Sequence, residues 1–179
     1  MSAALETEGW RLEPAREQDI DELMEWFDGE HSVKIWGGPK FRYPFNRETF
    51  LVDSHWGDMA TFCLRDSCDR FRAFGQLYER DRRINLARLI THPEVRRQGV
   101  GKRLVQMLMS TGADLFALDE YSLFVFRDNT PALGCYRSLG FEIQNYPSHE
   151  VLADECYYLT RPVVNQKNRT SSATKGNET

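Results

Sequence analysis

From Ile84 to Leu104 the chain reads INLARLITHPEVRRQGVGKRL, and few folds accommodate such a stretch. Ile84–Thr91 has the composition of a strand, and His92 to Gln98 is a short basic turn. Gly99 then opens an amphipathic run in which Val100, Leu104, Val105, Leu108 and Met109 share one stripe at helical spacing. Gly112 is a weak point near that helix's end. A strand that passes into a helix through a glycine turn presents free main-chain N–H groups and partial positive charge, which together make an anion site. Gly99 and Gly101 have no Cβ to hold a phosphate away from the backbone. Arg96, Arg97, Lys102 and Arg103 add positive charge locally, in a chain whose 23 basic and 27 acidic residues leave it at −4 overall. That overall balance argues against a nucleic-acid partner.

Two nucleotide motifs fail on this turn. A Walker A loop needs Gly five residues before its Gly-Lys pair and Ser or Thr after it, and Arg96 and Arg103 stand there. A dinucleotide fingerprint needs a small residue three after Gly101, where Leu104 stands, and it follows the first strand of its domain. The pattern that does fit is (Arg/Gln)-x-x-Gly-x-(Gly/Ala), met by Arg96, Gly99 and Gly101.

The rest of the chain frames this turn. A strand is predicted at Trp10–Leu12 and a helix over Arg16–Phe27, with Ile20, Leu23, Met24 and Phe27 at helical spacing and Gly29 as its stop. Gly37 to Phe45 is rich in Gly, Pro and aromatics and reads as a loop, and Asn46 or Thr49 caps a second helix running to His55. Strands are predicted at Ala60–Arg65, Phe71–Glu79, Ile84–Thr91 and Tyr121–Phe126, then a short helix at Pro131–Leu139 started by Asp128 or Asn129 and stopped by Gly140. Final strands are predicted near Phe141–Asn145 and Glu155–Arg161. The order is mixed α/β, with a strand–helix–strand crossover from Ile84–Thr91 to Tyr121–Phe126.

Residues 1–8 read as a flexible N-terminus, 9–163 as one domain, and 164–179 (VNQKNRTSSATKGNET) as a disordered tail too polar to offset its ordering entropy. No apolar run reaches the ~18 residues of a membrane helix. The acidic N-terminus lacks a secretory signal, so a cytoplasmic location without a membrane partner is expected. Cys63, Cys68, Cys135 and Cys156 form no CxxC pair and have no His cluster beside them, so neither structural zinc nor any other metal is expected.

Thirty residues past Gly99 begins Asn129-x-x-Ala132-x-x-x-Tyr136-x-x-x-Gly140-Phe141. In these two motifs and the elements around them, over about Ile84–Phe141, the chain resembles the GNAT superfamily of acetyl-CoA-dependent N-acetyltransferases. The resemblance implies a mixed, mostly antiparallel sheet of about seven strands flanked by about four helices, with a splayed parallel strand pair holding the cofactor. It implies acetyl transfer to a primary amine of a small molecule or peptide by direct attack, and dimers are common in the family. The backbone of Leu89, Ile90 and Thr91 would pair with the amides of the acetyl-CoA pantetheine. Main-chain N–H groups of Arg97, Gln98, Gly99, Val100, Gly101 and Lys102 would hold the pyrophosphate. Asn129 would bond the pantetheine, and Tyr136 would protonate the leaving thiolate. Main-chain N–H groups near Leu89 or Ile90 would face the developing oxyanion.

Departures from the family pattern matter too. Ribosomal-protein acetyltransferases of the superfamily carry Glu five residues before the motif Asn, where this chain has Phe124, and Leu86–Thr91 contains no acid. A base, if used, comes from Glu30, His31 or Glu79, and its absence leans toward a less basic amine. Trp36, Phe41, Tyr43 and Phe45 have two readings, core packing or an acceptor pocket suited to an apolar or aromatic group. The alternative class is an acyl-CoA-binding module of the same fold without catalysis, against which an intact Asn129 and Tyr136 argue.

Overall fold

The computed structural model describes residues 5–164. The elements are β1 (Leu5–Thr7), β2 (Trp10–Pro14), α1 (Asp19–Met24), α2 (Glu30–Gly37), α3 (Arg47–Asp53), β3 (Ala60–Arg65), β4 (Phe71–Arg80) and β5 (Arg83–Thr91). They continue with α4 (Val100–Leu115), β6 (Glu120–Phe126), α5 (Thr130–Ser138), β7 (Glu142–Gln144) and β8 (Cys156–Pro162). One sheet holds all eight strands in the order β1-β2-β3-β4-β5-β6-β8-β7. Every neighbouring pair is antiparallel except β5 and β6, so the expected mixed sheet with one parallel pair is present.

Two elements exceed expectation. β1 lies where a flexible terminus was expected at 1–8: Glu8 and Gly9 both take positive φ, 51° and 80°, which closes a two-residue hairpin onto β2. The second is α2. Gly29, read as a helix stop, is instead its N-cap, and the helix expected over Arg16–Phe27 is confined to Asp19–Met24. Val33 and Trp36 are the buried residues of α2, too few for its periodicity to stand out in sequence. By contrast, α3 begins as expected: the Asn46 side chain accepts from the Thr49 N–H at 2.9 Å and Thr49 Oγ1 accepts from the Asn46 N–H at 3.0 Å, a reciprocal cap. Most of the tail expected at 164–179 lies outside the described residues.

The two faces of the sheet are packed differently. On one, α4 lays Leu104, Val105 and Leu108 against Leu77, Ile84, Leu86 and Leu123. Gly75 lets the helix come this close, since a Cβ there would stand 2.6 Å from Leu108 Cδ1. On the other, the short helices α1–α3 and the segment between α2 and α3 bury an aromatic cluster of Trp26, Trp36, Phe41, Phe50, Phe71 and Phe74. Phe50 is fully buried and Trp36 stacks on it, with ring centroids 5.5 Å apart.

The sheet departs from regularity twice along β5. β5 and β6 keep parallel register only at Ile84↔Tyr121 and Asn85↔Ser122, joined also by Ser122 Oγ donating to Asn85 Oδ1 at 3.1 Å. Beyond those rungs they diverge. Along β5 the register against β4 shifts, with Phe74 opposite Ile90 and Gln76 opposite Ala87, so Arg88 and Leu89 together oppose Gly75. This is a bulge, with Arg88 at a positive φ of 49°.

Candidate active site

The divergence of β5 and β6 opens a cleft of about 1000 Å³. One wall is β5 from Leu86 to Thr91; the other is Phe124–Phe126 of β6 with α5 behind it. The turn before α4 closes one end, and Phe27, His31, Ile35 and Trp36 line it from the aromatic face. Of the residues expected to hold the cofactor, Leu89, Ile90, Thr91, Arg97, Gly99, Gly101, Lys102 and Asn129 all line this cleft, as does Tyr136.

At the α4 end, Gly99 is the N-cap in the left-handed region (φ 81°), and the first helical bond runs from the Arg103 N–H to the Gly99 carbonyl at 3.1 Å. The N–H groups of Val100, Gly101 and Lys102 are therefore left over by the helix. A Cβ on Gly99 would meet nothing within 4 Å, so a space stands directly over this turn. Gln98 and Val100, also expected to hold the cofactor, are not among the residues that line the cleft. The Gln98 side chain donates to the Glu94 carbonyl at 2.9 Å and Val100 is buried in the α4 core. This surface fits a diphosphate: unpaired donors, Arg97 and Lys102 beside them, and no side chain in the way.

At the other end stand Asn129 and Tyr136. Asn129 caps α5 by accepting from the Ala132 N–H at 3.4 Å, which leaves its amide N–H groups to donate elsewhere. Tyr136 is half-buried, its ring 6.3 Å from that of Phe141, and among the described residues its hydroxyl has no hydrogen-bond partner. Burial, with a smaller contribution from neighbouring Cys135, pushes the phenol's pKa further up, so it holds its proton at neutral pH. Opposite lies the bulge, and the Trp36 indole donates to the Arg88 carbonyl at 2.7 Å, pinning the bulge to α2.

The aromatic residues divide. Trp36 lines the cleft, but Phe41 is buried in the second core, Phe45 packs on Phe50 at 5.1 Å between centroids, and Tyr43 is exposed. Packing is thus what the structure gives for Phe41 and Phe45, because Trp36 and Phe50 offer their rings more contact than open solvent does. Among the expected bases, His31 lines the cleft, 3.9 Å from Asp128, while Glu30 and Glu79 do not. Phe124, in the place where some relatives carry Glu, lies under the Arg80 guanidinium at 4.7 Å.

Sequence reasoning passed over Arg88. Its signal was present: a cation in the middle of the apolar run INLARLIT. Away from the cleft, Asp81, His149 and Glu150 bring ligand-type atoms within 4.8 Å of one another, which no spacing announced. All three are already engaged, with Arg80 paired to Glu150 and His149 Nε2 3.1 Å from Asp81.

The sequence profile of the acetyltransferase (GNAT) family matches residues 20–141, which take in the cleft and both motifs. Among solved structures, the chain is similar to spermidine N-acetyltransferase from Vibrio cholerae in complex with CoA and spermine (TM-score 0.70, 15% identity, 88% of this chain and 97% of that one). It is also similar to a dodecameric form of spermidine N-acetyltransferase from the same organism (TM-score 0.66, 15% identity, 92% and 99%). A third likeness is to the ribosomal-protein-S18-alanine N-acetyltransferase from Escherichia coli (TM-score 0.62, 20% identity, 89% and 97%). At these identities the likenesses speak for the fold.

Proposed function

The chain belongs to the acetyltransferase (GNAT) family, and from that premise we propose that it moves an acetyl group from acetyl-CoA to a primary amine of a small molecule or peptide by direct attack. The observation that carries this reading is the alignment of three features along one cleft: the open N-terminal turn of α4, the β5 bulge, and the unpartnered Tyr136 hydroxyl.

Acetyl-CoA would supply an activated thioester carbonyl, at which a C–N bond to the amine forms and the C–S bond to the coenzyme breaks. The main chain of Arg97 to Lys102 binds the diphosphate through the donors left by the helix start. The free edge of β5 at Leu89–Thr91 pairs with the pantetheine amides as an added strand would, and the Asn129 amide donates from the opposite wall. N–H groups at the bulge face the carbonyl oxygen, where negative charge develops. Tyr136 gives its proton to the departing sulfur and is reprotonated from solvent, while the amine's surplus proton passes to His31 and from there to water. Lining both reactants up between two fixed strands supplies much of the remaining rate.

The catalytic domain on this reading is the expected 9–163 unit together with β1, and the protein is cytoplasmic, consistent with four unpaired cysteines. The test is thiol release from acetyl-CoA across a panel of amines and short peptides. Release with at least one amine is the expected result; CoA binding without release on any of them would sink it.

A further inference from the structure

Arg88 is an uncompensated cation at the acceptor end of the cleft. Its Nη1 donates to Gln76 Oε1 at 3.0 Å and, more weakly, to Met59 Sδ at 3.4 Å, and its Nη2 donates to the Asp53 carbonyl at 3.1 Å. No carboxylate among the described residues pairs with it. The Asp53 carboxylate is held by Arg42, whose Nε and Nη2 reach it at 2.7–3.1 Å. Gln76 is fully buried, and its amide nitrogen already donates to the Ser54 carbonyl and Thr61 Oγ1, both at 3.0 Å. Its oxygen is thereby fixed toward Arg88. The guanidinium is held rigidly by neutral acceptors, while its buried Nε has no partner and Nη2 keeps a second hydrogen. Burial pushes its pKa below the usual arginine value, against weaker support from Tyr78 and Asp53.

A buried arginine without a counter-ion is costly unless something brings one. The cleft itself does not. Among the described residues its lining cations are Arg88, Arg96, Arg97 and Lys102, against the single carboxylate of Asp128, which lies beside His31. Arg96, Arg97 and Lys102 belong to the diphosphate end, so Arg88 is the charge that an acceptor meets. A polycationic amine finds no acidic wall here.

We propose that Arg88 binds a carboxylate on the acceptor through its free Nε and Nη2 edge, which makes the substrate an amine that is also an acid, such as an amino acid or a peptide with a free C-terminus. The Arg42–Asp53 pair shows the same side-on geometry within this chain. Arg88 immediately precedes Leu89, so a carboxylate held there brings its own amine to the bulge. This rests on the acetyl-transfer reading and narrows its substrate.

The test compares kcat/KM for amino acids and dipeptides with that for their carboxamides. The amide's amine is the less basic, so intrinsic reactivity favours the amide and a preference for the acid has to come from binding. The wild type is expected to prefer the acid by about tenfold or more, the worth of a charge-assisted pair. Arg88→Gln brings the ratio to about one, and Arg88→Lys, keeping charge but losing the fork, stands between. Gln76→Glu supplies an internal counter-ion and also collapses the ratio, which keeps the test open should Arg88→Gln not fold. Turnover of amides equal to or above acids in the wild type overturns the proposal and leaves acetyl transfer standing. So does a ratio unchanged in Arg88→Gln and Gln76→Glu, since a merely structural arginine would slow both substrates alike. CoA binding with no turnover of any amine removes both readings.

Discussion

One face of the sheet is covered by a single sixteen-residue helix over aliphatic side chains; the other carries helices of six, eight and seven residues over aromatic rings. The first face ends in the Gly99 turn, where binding groups are main-chain atoms and side chains stay out of the way. The second supports the acceptor end, where Trp36 and Gln76 hold Arg88 from outside the strand that bears it. Backbone donors are set by the fold alone, whereas a side-chain site depends on everything that packs around it. The two ends of one cleft should therefore fail independently.

The strongest challenge to that separation is Phe50→Ala. Removing a fully buried ring costs about 3–5 kcal/mol, and urea unfolding measures it. In the fraction that folds, the acceptor KM rises while CoA affinity, measured by titration, stays within about twofold. A parallel loss of CoA binding would break the comparison. Next in size, Tyr136→Phe is expected to lower kcat roughly hundredfold with CoA affinity unchanged. Unchanged kcat would take Tyr136 out of proton transfer.

Asp66 joins the two regions. It accepts from Arg72 Nε at 3.0 Å, and the Arg72 carbonyl accepts from the His92 N–H at 2.8 Å, just ahead of the Gly99 turn. Burial alone would raise its pKa, but hydrogen bonds from Arg72, Arg70 and the Cys68 N–H outweigh this and lower it from 3.8 to about 2. Its contribution is complete above the unfolded value and is lost as pH falls through the folded one. Asp66→Asn should then cost about 2 kcal/mol at pH 7, with the gap to wild type closing between about pH 4 and pH 2. Denaturant melts at several pH values read this directly. The smallest effect is expected for Gly99→Ala: about 1 kcal/mol in stability for a left-handed alanine and about a tenfold weaker CoA affinity, read by titration, with kcat at saturation unchanged.

Much of the diphosphate end was legible in sequence, because glycines, cations and a helix stripe at fixed spacing state a backbone conformation locally. Asn129 and Tyr136 were legible for the same reason, lying seven residues apart on one helix and its cap. The acceptor end was not. Residues 30–56 contain aromatics whose role depends on which of them reach Phe74 and Phe50 across the chain, and nothing local separates Trp36, in the cleft wall, from Phe41, in the core. Arg88 is only a cation within a strand run until Gln76, Asp53 and Met59 are seen around it. β1 needed two positive φ angles at Glu8 and Gly9, and only the glycine advertises one.

The extra residue in β5 also resets the strand's phase. Ile84 and Leu86 face α4, and regular alternation would send position 88 there too; instead Leu89 takes that place and Arg88 faces Gln76. Removing one residue between Leu86 and Leu89 would thus do more than straighten the strand. It would leave Leu89 on the α4 face but remove the bulge whose Arg88 carbonyl accepts from the Trp36 indole and whose guanidinium faces Gln76, so the length of this segment is as much part of the binding site as any side chain in it.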